Sequence, residues 1–594
     1  MTLVAESGFP AVETSDERID NIPPLLYTLV NMGVPGKIDQ FHTPHGNHEG
    51  LSVGWLSTVW LVYILSQRDH RMSYVQDWVN DRRSALSELI GQEIRETDFT
   101  DDRLADVLGV LNLDAVWQLV EAALSQQSIR VYRLPAETVR LDATVGQSHH
   151  DPSKHPLFQV GRTKADTYDI QFKLMLGSLD PLGLPIAADI VPGNQADDPL
   201  YVPIYQRIRQ TLGKKNLLYV GDSKMAALET RAAIQEGEDF YLMPLPMTGE
   251  TPDLLDQLLT RLDAGEIAST EIYLPEDLPK DPQQSPDPSL AIAKGFETSI
   301  ERTAVVDGET ATWTERVLTV QSFHYAEAQQ KALESRLKKA EKNLLKLTPP
   351  SGRGKKQSQE ADPLQAAVER ILDRYHVQGL LGVALERQES QRPIRSYGER
   401  PARIETTVRY QVYVTRQTEK IAQVKRSLGW RLYAANSPVE RLSLNQAVLV
   451  YRDQYIVERD FARIHGYLKI TPLYVQRDDH ARGLIRLLTI ALRAMVLIEF
   501  VARRALEEQQ TKLEGIYAGN PKRATARPTA ELLLKAFEGI ARIATDSPNG
   551  QCSQDITPLT PVQKKILSLL NLPVTIYTNL VTRRENTPLL PMVA

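Results

Sequence analysis

Apolar residues recur at three- and four-residue spacing through the first part of the chain. Segments 53–65 (VGWLSTVWLVYIL), 73–90 (SYVQDWVNDRRSALSELI) and 101–124 (DDRLADVLGVLNLDAVWQLVEAAL) read as helices on that period. Asp98, Thr100 and Asp101 are suited to cap the third. Residues 1–18 read as a flexible tail, and a helical N-terminal domain is expected over 19–130. The period then changes to that of strands. Residues 139–145 (VRLDATV), 168–179 (YDIQFKLMLGSL) and 184–191 (LPIAADIV) predict three strands. A helix over 203–212, a strand over 216–220, a helix over 224–236 and a strand over 240–245 follow. Three strands, then helix, strand, helix, strand describe a mixed α/β sheet, placed over 131–246.

Residues 247–425 break this order and read as an α+β insertion. They include a Pro-rich linker (274–290), a basic spacer (348–363) and strands at 311–322 and 403–414. A helix over 326–347 lines up Leu333, Leu337, Ala340 and Leu344 on one face. The core is expected to resume over 426–506, with a strand at 430–434, a helix over 442–465 and an apolar helix over 484–506. A helical region over 507–594 ends the chain. Arg486, Arg493 and Glu499 interrupt the apolar run, so a buried core helix is expected rather than a membrane span. The first twenty residues lack the basic start and apolar core of a signal peptide.

Composition narrows the classes. Of 594 residues, 24% are charged and 42% hydrophobic, as in ordinary globular chains. The one cysteine, Cys552, excludes an internal disulfide framework and Cys-based zinc sites. The net charge of −6 argues against a uniformly basic nucleic-acid binder. The charge is unevenly spread, however. Residues 401–530 hold 22 Lys and Arg against 12 Asp and Glu, so that segment is +10 and the remainder −16. Local basic surface of that kind is what phosphate contacts need.

Three carboxylates stand out. Asp142 interrupts an apolar strand, which is costly unless the group is paired or binds a cation. Asp222 follows the buried strand LLYVG, at the strand end where α/β sheets place their sites. The plainer reading is an N-cap of the next helix. Glu458 lies in YRDQYIVERDFARIH, where a helix would put Tyr451, Glu458 and His465 on one face with Gln454 between the first two. A solvated helix glutamate has the same pattern. Two strand aspartates and a helix glutamate are also the oxygen donors of a two-magnesium phosphoryl-transfer site.

The pieces LDATVGQ, SLDPLGLPIAADIVPGNQADDPLY, LLYVGDSKMAAL and YRDQYIVERDFARIHGYLKITPLYVQRDDHARGLIRLL occur in the order found in DDE-type insertion-sequence transposases. The chain resembles that family over roughly residues 20–580, near the bacterial branch with the helix signature Y-x2-R-x3-E-x6-K. The resemblance implies a ribonuclease H-like core split by the insertion. It implies that Asp142, Asp222 and Glu458 are the catalytic residues and hold two Mg²⁺ ions, with Mn²⁺ able to substitute. It implies cleavage of transposon ends and strand transfer into target DNA. Double-stranded DNA, as terminal inverted repeats and target, is the expected partner. A homodimer on paired ends, no membrane, and a cytoplasmic, nucleoid-associated location in a bacterium are expected with it. The N-terminal helices are assigned to end recognition by the same likeness. Other readings of the same motifs are a ribonuclease H-like nuclease without strand transfer and an inactive DNA-binding relic.

The signature is kept in part. Tyr451 and Glu458 match it, while Gln454 stands at the arginine position and His465 at the lysine position. DNA contacts are therefore expected from Tyr451, Arg452, Gln454, Arg459, Arg463, His465 and Lys469, with Trp430 as a stacking residue. Asn194 and Asp197 resemble a further family motif and equally suit a turn.

Overall fold

The computed structural model describes residues 13–42, 49–163, 167–279, 281, 284–306, 308–349, 359–396, 398, 401–546 and 552–582. The chain divides into two compact units, Met1–Met243 with Thr303–Thr312 and Tyr451–Ala594, and Pro244–Arg302 with Trp313–Val450.

The first unit is built on a mixed sheet. Its strands are β1 (Thr138–Gln147), β2 (Tyr168–Leu179), β3 (Leu184–Pro192), β4 (Leu218–Gly221) and β5 (Phe240–Pro244). In space they run β3-β2-β1-β4-β5. The β2 strand is antiparallel to β1 and β3, and β4 and β5 are parallel additions. Three antiparallel strands followed by two parallel ones in this order make a ribonuclease H-like sheet. A short strand, Gln159–Arg162, extends the β2 edge; its four residues give no periodicity to read.

Five helices matter for the site: α1 (Tyr201–Leu212), α2 (Leu444–Arg452), α3 (Tyr455–Gly466), α4 (Asp478–Glu508) and α5 (Ala530–Lys535). Gly177 brings α1 close to the sheet, because a Cβ there would lie 2.4 Å from Ile208 Cδ1. The 31-residue α4 is the buried core helix the sequence predicted, with residues 484–498 inside the fold. Its Gly483 meets the backbone of helix Asp101–Asn112, where a Cβ would stand 2.2 Å from the Leu108 carbonyl oxygen. The Arg486 guanidinium donates to the carbonyls of Leu111 (2.8 Å) and Asn112 (2.7 Å), closing that helix's C-terminus. Among the described residues no single helix is long and apolar enough to cross a membrane.

Several boundaries differ from expectation. The helix expected over 101–124 breaks at Leu113, and that over 73–90 breaks after Asn80. Residues 1–12 of the expected tail lie outside the described residues. Glu13–Arg18 is a strand, paired antiparallel with Ala541–Asp546. With Cys552–Ile556 these make a three-stranded sheet, so the C-terminal region is not wholly helical. That pairing joins residues more than 500 apart, which no local pattern can announce.

In the second unit, Leu333, Leu337, Ala340 and Leu344 are buried on one face of Phe323–Leu347, as their spacing predicted. They pack with Leu364 and Val368 of Ala361–Tyr375 and with the base of a two-stranded ribbon, Leu381–Ile394 and Arg403–Arg416. Trp430–Ala435 belongs to this unit, paired with Glu309–Ser322, rather than to the second part of the core. Most of the basic spacer, residues 350–358, lies outside the described residues.

Candidate active site

The parallel β1–β4 ladder ends at the pair Leu141↔Gly221. Asp142 is the next residue of β1, which runs on to Gln147, and Asp222 is the first residue past β4, so their backbones stand about 5 Å apart. The chain can turn sharply after β4 because position 221 is glycine. A Cβ there would lie 2.4 Å from Met225 Sδ and 3.0 Å from Met225 Cβ. The Asp142 Oδ1 accepts the Ala143 N–H at 2.8 Å. The Asp222 Oδ1 accepts two hydrogen bonds, from the Tyr201 hydroxyl at 2.7 Å and the Lys224 N–H at 2.9 Å. Asp222 is not a helix N-cap. The next helix, Leu228–Glu236, begins six residues later with Ala227 in that position.

Three contacts lay α3 along one sheet face. The Arg140 guanidinium reaches Gln454 Oε1 at 3.4 Å, the Ser178 hydroxyl donates to Asp460 Oδ2 at 3.3 Å, and Thr144 Oγ1 bonds His465 Nε2 at 3.0 Å. Arg140, Asp142 and Thr144 alternate along β1 and so share that face. Gln454, Glu458 and His465 follow the helical period and share one stripe. From Arg140 to Thr144 the strand advances about 13 Å, and from Gln454 to His465 the helix advances about 16 Å. Glu458 lies on that stripe between the two bonded positions. It is exposed and makes no hydrogen bond or ion pair among the described residues. Among the described residues no three His, Cys, Asp or Glu side chains already stand together as a metal-holding group.

The expected helix 442–465 is interrupted. The turn at Asp453 and Gln454 carries i to i−3 bonds (Gln454 N–H to Tyr451 at 3.1 Å, Ile456 N–H to Asp453 at 3.0 Å), separating α2 from α3. Tyr451 thus closes the preceding helix, and the stripe it was expected to share begins at Gln454. At this turn Arg140, itself fully buried, pairs with Asp180 at 3.0 Å. Burial raises the Asp453 carboxyl above the ordinary range, with Asp180 adding to the effect and Arg140 opposing it.

The expected DNA contacts separate into two groups. Arg452 and Lys469 are exposed. Arg463 turns inward: its side chain is 5% exposed and joins Glu499 of α4 and Glu531 of α5, the latter at 2.9 Å. Arg459 bonds the Leu182 carbonyl at 3.0 Å and Glu499 at 3.1 Å. Gln454 and His465 are engaged by Arg140 and Thr144, as above. Trp430, in the second unit, is 6% exposed and packs by Phe296, with ring centroids 6.0 Å apart; a residue buried in that way offers no open stacking face. Asp197 pairs with Lys173, while Asn194 is exposed. His150 stacks on Phe158 with centroids 3.9 Å apart, and His149 and Lys224 face solvent.

Tyr201, Arg140 and Asp180 were not singled out from the sequence. Tyr201 is 1% exposed. Burial, then the charge of Asp222, then those of Asp142 and Asp197 push its phenol well above the ordinary tyrosine range, so it remains a donor. Its position in the run PGNQADDPLY was the one available signal.

Comparison with known proteins adds an independent line. A family model described as a transposase DDE domain matches residues 139–493, more than half of the chain, a span that includes the positions of Asp142, Asp222 and Glu458. No curated protein matches. Among solved structures, the chain is similar to a piggyBac transposase synaptic complex with hairpin DNA. That likeness is 10% identity over 88% of this chain and 81% of the other, with a TM-score of 0.34.

Proposed function

The chain belongs to the family defined by the transposase DDE domain, and from that premise we propose that it is the DNA transposase of an insertion sequence, with Asp142, Asp222 and Glu458 as its catalytic carboxylates. The observation that carries the reading is the geometry around β1. Asp142 lies within β1 beside the end of β4, Asp222 is the first residue past β4, and Glu458 lies on α3 between Gln454 and His465, both of which bond β1 side chains.

The donor set suits a hard divalent cation. All three groups offer oxygen, Asp222 has Oδ1 committed to neutral donors, and Glu458 carries no ion pair among the described residues. Two Mg²⁺ ions, with Mn²⁺ able to substitute, would be held by these three residues and would supply charge stabilisation at the attacking and leaving oxygens. The proposed reaction has two in-line steps. A water oxygen bonds to phosphorus at the transposon end as the P–O3′ bond breaks, and the departing oxygen takes a proton to become a 3′-hydroxyl. That hydroxyl then attacks a target phosphodiester, with loss of the target's own 3′-oxygen. The protein's part is positioning and fixed charge rather than a covalent intermediate. Arg452 and Lys469, exposed at the two ends of this helical segment, are the proposed backbone contacts. Two copies of the chain would pair the two ends, acting on the bacterial nucleoid.

The test uses linear DNA carrying the sequences that flank the coding region. The wild-type protein should cut at the element's ends in Mg²⁺ and join the 3′-hydroxyl ends to a plasmid target. Glu458→Gln should bind the same DNA and leave it uncut. Undiminished cutting by Glu458→Gln would refute the assignment, and cutting without joining would reduce the function to that of a nuclease.

A further inference from the structure

Tyr201 is a buried side chain that bonds directly to one of the three carboxylates. It opens α1, is 1% exposed, and donates its hydroxyl to Asp222 Oδ1 at 2.7 Å. The same oxygen accepts the Lys224 N–H at 2.9 Å. Two donors on one carboxylate oxygen restrain the carboxylate and leave the second oxygen, Oδ2, without a hydrogen bond among the described residues. The two donors come from different places. One is the turn after β4; the other is a helix anchored by Ile204, Tyr205 and Ile208. The carboxylate is therefore clamped between an element of the sheet and an element packed on it.

We propose that Tyr201 is a positioning residue for Asp222, committing Oδ1 to hydrogen bonds so that Oδ2 is the oxygen presented to a divalent cation. This rests on the reading of Asp222 as a metal-holding residue. A partner in the outer shell of a metal ligand typically changes affinity by about 10- to 100-fold when it is removed. The same helix supplies an internal control. One turn on, Tyr205 is 2% exposed and donates its hydroxyl to Asp239 Oδ2 at 3.0 Å, an aspartate that is not part of the carboxylate set. The two tyrosines share burial, helix and bond type, and differ in whether the acceptor belongs to the site.

The experiment is Mn²⁺ binding to the full-length protein, read as loss of the free-ion electron paramagnetic resonance signal, with thermal unfolding measured on the same samples. Tyr201→Phe keeps the ring in its slot and removes only the hydroxyl; its Mn²⁺ dissociation constant should rise about tenfold. Tyr205→Phe should bind Mn²⁺ like the wild type while showing a comparable fall in melting temperature. Tyr201→Phe binding within twofold of wild type, while Asp222→Asn loses binding, overturns the inference and leaves the carboxylate assignment standing. Equal weakening in both tyrosine variants also overturns it, because lost stability then explains the effect. Wild-type binding by Asp222→Asn overturns the assignment of the site itself, and the inference with it.

Discussion

Glu499 is the node that ties the helix carrying Glu458 to the rest of the fold, and Glu499→Gln is the substitution with the most to reveal. Its side chain is 3% exposed and meets three guanidinium groups: Arg463 in direct contact, Arg459 at 3.1 Å and Arg503 at 2.8 Å. Glutamine keeps the shape but removes the charge, and its amide group would direct N–H donors at other donors. Removing one partner of a buried pair costs about 3–5 kcal/mol. Each arginine here keeps another acceptor: Glu531 for Arg463 at 2.9 Å, the Leu182 carbonyl for Arg459 at 3.0 Å and the Pro528 carbonyl for Arg503 at 3.0 Å. These hold the loss to the low end, about 3 kcal/mol, or roughly 150-fold in the folding equilibrium. Urea unfolding of the full chain gives the magnitude. Hydrogen exchange over Tyr455–Gly466 gives the location, since the two arginines facing Glu499 on that helix lose their anchor. A loss under about 0.5 kcal/mol, the range of ordinary surface changes, with unchanged protection of that helix, would refute the reasoning.

Gly221→Ala should destabilise by about 1–3 kcal/mol and weaken Mn²⁺ binding, because the new methyl group meets Met225 and displaces the turn that carries Asp222. Unaltered Mn²⁺ affinity would show that the turn has room. Asp460 is fully buried, and burial raises its carboxyl well above the ordinary range, outweighing Arg459 and Arg463. A raised folded value stabilises below the unfolded one and is lost as pH rises, so Asp460→Asn should equal or exceed wild-type stability at pH 7. Its advantage should grow upward from about pH 4, and a variant less stable at pH 7 than at pH 4, relative to wild type, would contradict this. Glu531 behaves oppositely. Burial would raise it, but Arg463 more than offsets that and lowers it. Its contribution is present above the unfolded value and fades as pH falls through the folded one. The stability gap between wild type and Glu531→Gln should therefore close below about pH 4, as urea titrations in acetate and citrate would record.

The period of the apolar residues determined where most strands and helices of the sheet lie. It did so because a strand buried on one or both faces, or a helix with one inward face, must carry its apolar residues at a fixed local spacing. The 168–179 strand, the 203–212 helix and the inward face of Leu333, Leu337, Ala340 and Leu344 were legible for that reason. Asp142, Asp222 and Glu458 stood out because each breaks or follows such a pattern with a carboxylate. Which strands are neighbours was not local information. The nearness of Asp142 and Asp222 in the sheet depends on the β1–β4 ladder, and the placement of the helix that carries Glu458 depends on bonds such as Thr144 to His465, 321 residues apart. The basic character of 401–530 shows the same division. Arg463, Arg486 and Arg493 contribute to its +10, but they are buried against Glu499, Asp114 and Glu121. A charge count is a sum over the chain, whereas the field at a surface depends on which charges folding has already paired. Only the tertiary structure decided that, and it left Arg452 and Lys469 outward while turning Arg463 in.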